Sequence, residues 1–84
     1  MTHFASPEFW EAYSQLPRHI QALADRNFQQ LKADPSHRSL QFKLAGRHWS
    51  VRVGLHYRAL AQRDGDDFVW FWIGSHAEYD RLIR

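Results

Sequence analysis

Cysteine is absent from the 84 residues, which excludes a disulfide framework and thiolate chemistry and fits a reducing, cytoplasmic location. Glycine (four) and proline (three) are scarce and fall where the hydropathy pattern changes, as punctuation between regular elements. No apolar run approaches a membrane span, the longest being the six residues Phe68–Ile73. The start, Met1-Thr2-His3-Phe4-Ala5-Ser6-Pro7, lacks the basic segment and apolar run of a secretory leader. Six histidines invite a metal site, yet no H-E-x-x-H occurs and no two histidines lie one helical turn apart, so neither a metal nor another cofactor is expected. No serine sits in a nucleophile elbow, and Ser50, between His48 and Arg52, reads as an ordinary strand residue. There is no repeat, linker or low-complexity segment, and residues 1–84 read as one domain.

The remaining absence is of acid. Between Pro35 and Arg63 there is none, while Arg38, Lys43, Arg47, Arg52, Arg58 and Arg63 give that stretch a net charge of +6. Residues 1–34 and 64–84 are net −1 and −3. A middle third this one-sided suggests a polyanion or an acidic protein surface as partner. Arginine outnumbers lysine nine to two, and its forked guanidinium suits phosphate and carboxylate. A merely solvated basic surface is the alternative.

What the chain has in abundance is aromatic surface, with four Trp, six Phe and three Tyr, which helps a small core. Ser6-Pro7-Glu8 is a helix start, and Phe9, Trp10 and Tyr13 form its apolar face. Pro17 opens a second helix with Ile20, Leu23, Ala24, Asn27, Phe28 and Leu31 on one stripe, ended by Asp34-Pro35. The period then changes to two. Leu40–Leu44, His48–Val53, Tyr57–Arg63 and Phe68–Ile73 read as strands joined by short glycine-containing turns. Gly74 breaks the last strand, and Ser75 with Glu78 forms a capping box for a helix running to Arg84. The order α-α-β-β-β-β-α reads as an α+β fold, an N-terminal α-hairpin packed on a four-stranded, mainly antiparallel sheet with a short C-terminal helix.

Strand alternation puts Trp49, Val51 and Val53 on the helices and His48, Ser50 and Arg52 on the other face. Either Phe68, Trp70 and Trp72 or Val69, Phe71 and Ile73 line that second face. A metal-independent ribonuclease needs a base for a 2′-hydroxyl, an acid for the leaving oxygen and fixed cations around the phosphorane. His76 supplies an acid or base, with Tyr79 one helical turn on. Arg52 and Arg58 are fixed cations on adjacent strands, and Lys43, Arg47 and His48 add positive charge for RNA binding beside Ser50. The structural alternatives are a capping-turn role for His76, a core role for Tyr79, and an ion pair of Arg58 with Asp80 or Glu78.

The α-hairpin, the Asp34–Leu40 connection, the segment Trp49-Ser50-Val51-Arg52-Val53-Gly54-Leu55-His56-Tyr57-Arg58-Ala59-Leu60, and Trp72-Ile73-Gly74-Ser75-His76-Ala77-Glu78-Tyr79-Asp80 together resemble the RelE/ParE superfamily of bacterial type II toxin–antitoxin toxins. The resemblance covers nearly the whole chain. It implies a toxin causing growth arrest, neutralised by a cognate antitoxin. In the RelE-like and HigB-like branches it implies an endoribonuclease acting on mRNA at the ribosome. In the ParE-like branch it implies a non-enzymatic inhibitor of DNA gyrase. An inert relative that binds an acidic partner is a third outcome. The superfamily's active face carries two basic strand residues at i and i+2, which fall on Ser50, an uncharged residue, and Arg52. Its arginine after the next turn falls on Arg58, and its group after the last strand on His76. Tyr79 stands earlier than the family's C-terminal tyrosine.

Overall fold

Ser6 starts the first helix. Its hydroxyl accepts the Phe9 N–H at 3.3 Å, and Pro7 takes the first helical position, where the missing N–H would be unpaired anyway. The computed structural model describes residues 1–83; Arg84, the expected end of the last helix, lies outside the described residues. In chain order the elements are β1 (His3–Ala5), α1 (Pro7–Ser14), α2 (Arg18–Ala33), a 3-10 turn (Arg38–Leu40), β2 (Lys43–Ala45), β3 (His48–Val53), β4 (Tyr57–Asp64), β5 (Asp67–Ser75) and α3 (His76–Leu82). One sheet runs in the order β1-β5-β4-β3-β2, antiparallel except for β1 on β5. The α+β class expected from the sequence holds, with five strands instead of four. Three residues are too few to show a period, and β1 is held by distant groups. Phe68 N–H donates to the Thr2 carbonyl at 2.8 Å, and Ser6 N–H to the Trp70 carbonyl at 2.9 Å.

The helical hairpin covers one face of the sheet. Ala24 and Leu31 of α2 pack with Val51, Val53, Ala59, Ala61, Phe68, Trp70 and Ile73, and Phe9 and Tyr13 of α1 close over them. Each large apolar side chain buried this way contributes about 1.5–3 kcal/mol. The buried Trp70 indole N–H donates to His3 Nδ1 at 2.9 Å, which ties β1 to the core. Burial, with the N-terminal ammonium and Lys32 adding to it, lowers the proton affinity of His3 and favours the neutral ring this bond requires. No helix among the described residues is long and apolar enough to cross a membrane.

Three local readings change. Leu40–Leu44 is not a continuous strand: Arg38–Leu40 is a 3-10 turn, and Gln41 adopts the left-handed conformation at φ 46° and ψ 47°. Leu40 has no solvent exposure, and Phe42 packs against Trp49 and Phe68 at 5.1 and 5.2 Å between ring centroids. Burying both side chains forces the kink between them. In β5, neither alternating set lines the second face, because the register slips between Leu60 and Ala61. Leu60 lies opposite Trp72 and Ala61 opposite Trp70, leaving Phe71 as the extra residue of a bulge. Phe68, Trp70 and Ile73 therefore enter the helix-side core, while Phe71 meets His48 on the other side, 5.0 Å between ring centroids. Finally, Gly74 does not break the strand. It stays paired opposite Arg58, with the Trp72 indole folded over the place a Cβ would occupy.

α3 crosses the sheet face opposite the hairpin. Ser75 caps it, accepting the Glu78 N–H at 3.2 Å and donating to the Glu78 carboxylate at 3.1 Å. The His76 N–H donates to the His56 carbonyl at 2.7 Å, fixing the helix start to the β3–β4 turn. Tyr79 is buried, and its phenol donates to the Ser50 hydroxyl on β3 at 3.3 Å.

Candidate functional site

Sheet register creates the site. Arg52 of β3 and Arg58 of β4 are directly opposed, so their side chains emerge side by side on the face that carries α3. Like charges placed this way destabilise a sheet, and each guanidinium has a restraint. Arg52 Nε donates to the Gly54 carbonyl at 2.9 Å, across a turn that Gly54 makes at φ 65°. The Asn27 amide of α2 donates to the Arg52 carbonyl at 3.2 Å, anchoring that strand from the hairpin side. Arg58 lies over the Tyr79 ring, 5.8 Å from its centroid, and donates to the Gln41 amide oxygen at 3.5 Å. Its second terminal nitrogen, Nη1, is buried with no hydrogen-bond partner among the described residues.

The ion pair of Arg58 with Asp80 or Glu78 does not form. The ion pairs among the described residues are Arg63–Asp66 at 4.0 Å and His76–Asp80 at 3.4 Å. Burial holds the Arg58 guanidinium below its ordinary proton affinity, with Arg52 adding to the effect and Tyr79 and Asp80 opposing it. Arg58 remains a cation, since free guanidinium titrates far above neutral pH. It is thus an under-bonded cation, an arrangement that favours an incoming anion.

His76 stands near the same phenol ring, its imidazole 5.7 Å from the Tyr79 centroid. Its Nε2 reaches Asp80 Oδ2, one turn along α3. Arg52, Arg58, His76 and Tyr79 are therefore brought together at one end of the sheet. Of the residues expected to bind RNA, Ser50 lies closest, but it is 1% exposed beneath the Tyr79 phenol and presents no surface to a ligand. Lys43 is exposed on β2, opposite Ser50. His48 begins β3, roughly 13 Å along the strand from Arg52 by strand rise, and Arg47 precedes it. His48 is half-buried against Phe71 with its Nδ1 unpartnered, and Arg47 is exposed in the β2–β3 turn. Among the described residues no three His, Asp or Glu side chains gather in a way that could hold a metal ion.

Gln41 is the residue the sequence did not point to. A left-handed backbone at a residue other than glycine costs roughly 1–2 kcal/mol, and Gly or Asn is the usual occupant. No periodicity marks such a position.

The family model of the ParE-like toxin domain matches residues 18–81. The chain belongs to the ParE-like toxin domain family. That match takes in α2, the four antiparallel strands and most of α3, hence every residue of the site just described. The toxin domain's fold is similar to the toxin in the RelB–RelE antitoxin–toxin complex from Methanococcus jannaschii, at TM-score 0.72 and 15% identity over 96% of this chain and 99% of that one. It is also similar to the YoeB/ParE toxin from Agrobacterium tumefaciens, at TM-score 0.65 and 15% identity over 90% and 99% of the two chains. The RelBE2 toxin–antitoxin complex from Mycobacterium tuberculosis gives TM-score 0.64 and 21% identity over 89% and 96%. A search of curated protein sequences finds no match. The structural likeness to the Methanococcus jannaschii complex covers 96% of this chain, more than the residues 18–81 that the family model matches.

Proposed function

We propose that this toxin domain acts as a metal-independent endoribonuclease on translated mRNA at the ribosome and is neutralised by a cognate antitoxin. The observation that carries the reading is the opposed Arg52–Arg58 pair, for which no carboxylate partner occurs among the described residues. Such a pair is costly in a free sheet and useful where a phosphodiester gains negative charge on its way to a phosphorane. Arg58 and His76 both lie within 6 Å of the Tyr79 ring centroid, at 5.8 and 5.7 Å. Imidazole is the side chain suited to move a proton near neutral pH, and Asp80 orients this one. Arg52 and Arg58 grip the phosphate, His76 transfers the proton, and Lys43 extends the positive surface toward the flanking nucleotides. Two of the similar structures are toxin–antitoxin complexes, which supports an antitoxin partner here. The proposed target puts the protein's action in the cytoplasm.

One observation favours gyrase inhibition without cleavage. The position expected to carry a second strand cation is the uncharged, buried Ser50, and the Tyr79 phenol is committed to it. Primer extension on mRNA from expressing cells, run beside a gyrase supercoiling assay, separates the two. The nuclease reading expects ribosome-dependent cuts that disappear in Arg58→Ala and His76→Ala, both checked for folding by circular dichroism. Intact mRNA with altered supercoiling transfers the function to gyrase. Growth arrest unchanged in both variants removes the catalytic assignment.

A further inference from the structure

Gln41 occupies a backbone conformation that a glutamine is poorly suited to hold. The kink itself is imposed by its neighbours, with Leu40 wholly buried on one side and Phe42 packed on Trp49 and Phe68 on the other. Glycine or asparagine would satisfy that geometry with less strain. What glutamine adds is reach. Its amide oxygen meets the guanidinium of Arg58, the residue opposed to Arg52, at 3.5 Å. Asparagine is one methylene shorter, about 1.5 Å, and falls out of hydrogen-bond range.

The partner fixes the orientation of the amide. A guanidinium only donates, so the Gln41 oxygen faces Arg58 and the NH2 group faces away from it, on an exposed side chain. We propose that Gln41 is a positioning residue of the arginine pair. Its oxygen fixes the orientation of Arg58, and its NH2 donates to the phosphodiester of the single-stranded RNA that Arg52 and Arg58 grip. Backbone strain here is retained for that side chain, in keeping with the concentration of strained residues at functional sites. The inference rests on the nuclease reading above and assigns a residue to that same site.

The test uses full-length Gln41→Gly and Gln41→Asn in a purified translation system, measuring cleavage of ribosome-bound mRNA alongside thermal unfolding. Both variants relieve the left-handed strain, so both are expected to melt at or above the wild-type temperature. Both are expected to cleave more slowly, by about tenfold to a hundredfold, as misplacement of a phosphate-binding group does. The Arg58 guanidinium N–H resonances report positioning without RNA: they are expected to be resolved in the wild type and averaged by rotation in Gln41→Gly. Cleavage at the wild-type rate in Gln41→Gly, or unchanged Arg58 resonances, makes Gln41 a turn residue only and overturns the inference. A wild-type protein that does not cleave removes the nuclease reading and the RNA role of Gln41 with it, an outcome distinct from cleavage that is indifferent to residue 41.

Discussion

Gly74→Ala is the change whose consequence the structure specifies most directly. Gly74 lies within β5 opposite Arg58, and a Cβ built there would meet three atoms of the Trp72 six-membered ring, the nearest inside any distance that real carbon contacts show. Its backbone is not in the left-handed region, so the cost is steric. The indole must swing off the strand or the strand must shift, and overpacking of this kind costs about 1–3 kcal/mol. In a domain of this size each kcal/mol lowers Tm by about 4–8 °C, so the melting temperature should fall by roughly 4–24 °C. Thermal unfolding followed by circular dichroism measures it. The mechanism adds a second requirement: with Trp72→Ala already in place there is no ring to displace, and the further change Gly74→Ala should cost no more than about 0.5 kcal/mol. An equal drop in both backgrounds, or none in the wild type, would refute the argument that glycine is there to admit the indole.

Acid should loosen the N-terminal strand. The folded-state pKa of His3 is lowered from 6.5, so its bond to Trp70 contributes fully above that value and is lost as pH falls below it, where the unfolded chain binds the proton more readily. Melting temperature compared between wild type and His3→Asn from pH 5.5 to 7.5 should converge on the acid side; a constant difference would contradict the linkage. Tyr79→Phe leaves the buried Ser50 hydroxyl unpaired and should cost about 1–3 kcal/mol in urea unfolding, most of it recovered by adding Ser50→Ala. If that double variant regains stability and remains non-toxic in cells, the phenol acts in the chemistry as well as in the fold.

The helical hairpin was legible because its signals are local: Ser6 and Pro7 at one start, a stripe from Ile20 to Leu31, and Asp34-Pro35 at the end. The grouping of Arg52, Arg58 and His76 was legible in outline, since alternation assigns the faces and a meander makes sequential strands neighbours. Other parts depend on contacts between distant residues. β1 is a strand only because Phe68 and Trp70 offer it partners, and the bulge at Phe71 follows from how Leu60 and Ala61 pair across the sheet. Whether Tyr79 faces solvent, substrate or core was decided by α3 crossing to Ser50.

Composition and pattern by themselves determined the α+β class, a basic middle third without acid, and an imidazole delivered where the last strand ends. Those properties follow from residue type and short-range period, which the chain carries whether or not it is folded. Only the tertiary structure decided that Arg52 and Arg58 stand opposed with no carboxylate partner among the described residues, that Ser50 is sealed beneath Tyr79, and that a strained Gln41 reaches Arg58. Register, crossing direction and burial set these, and each comes from which distant groups exclude water together. A single residue's place in the sequence carries no record of that.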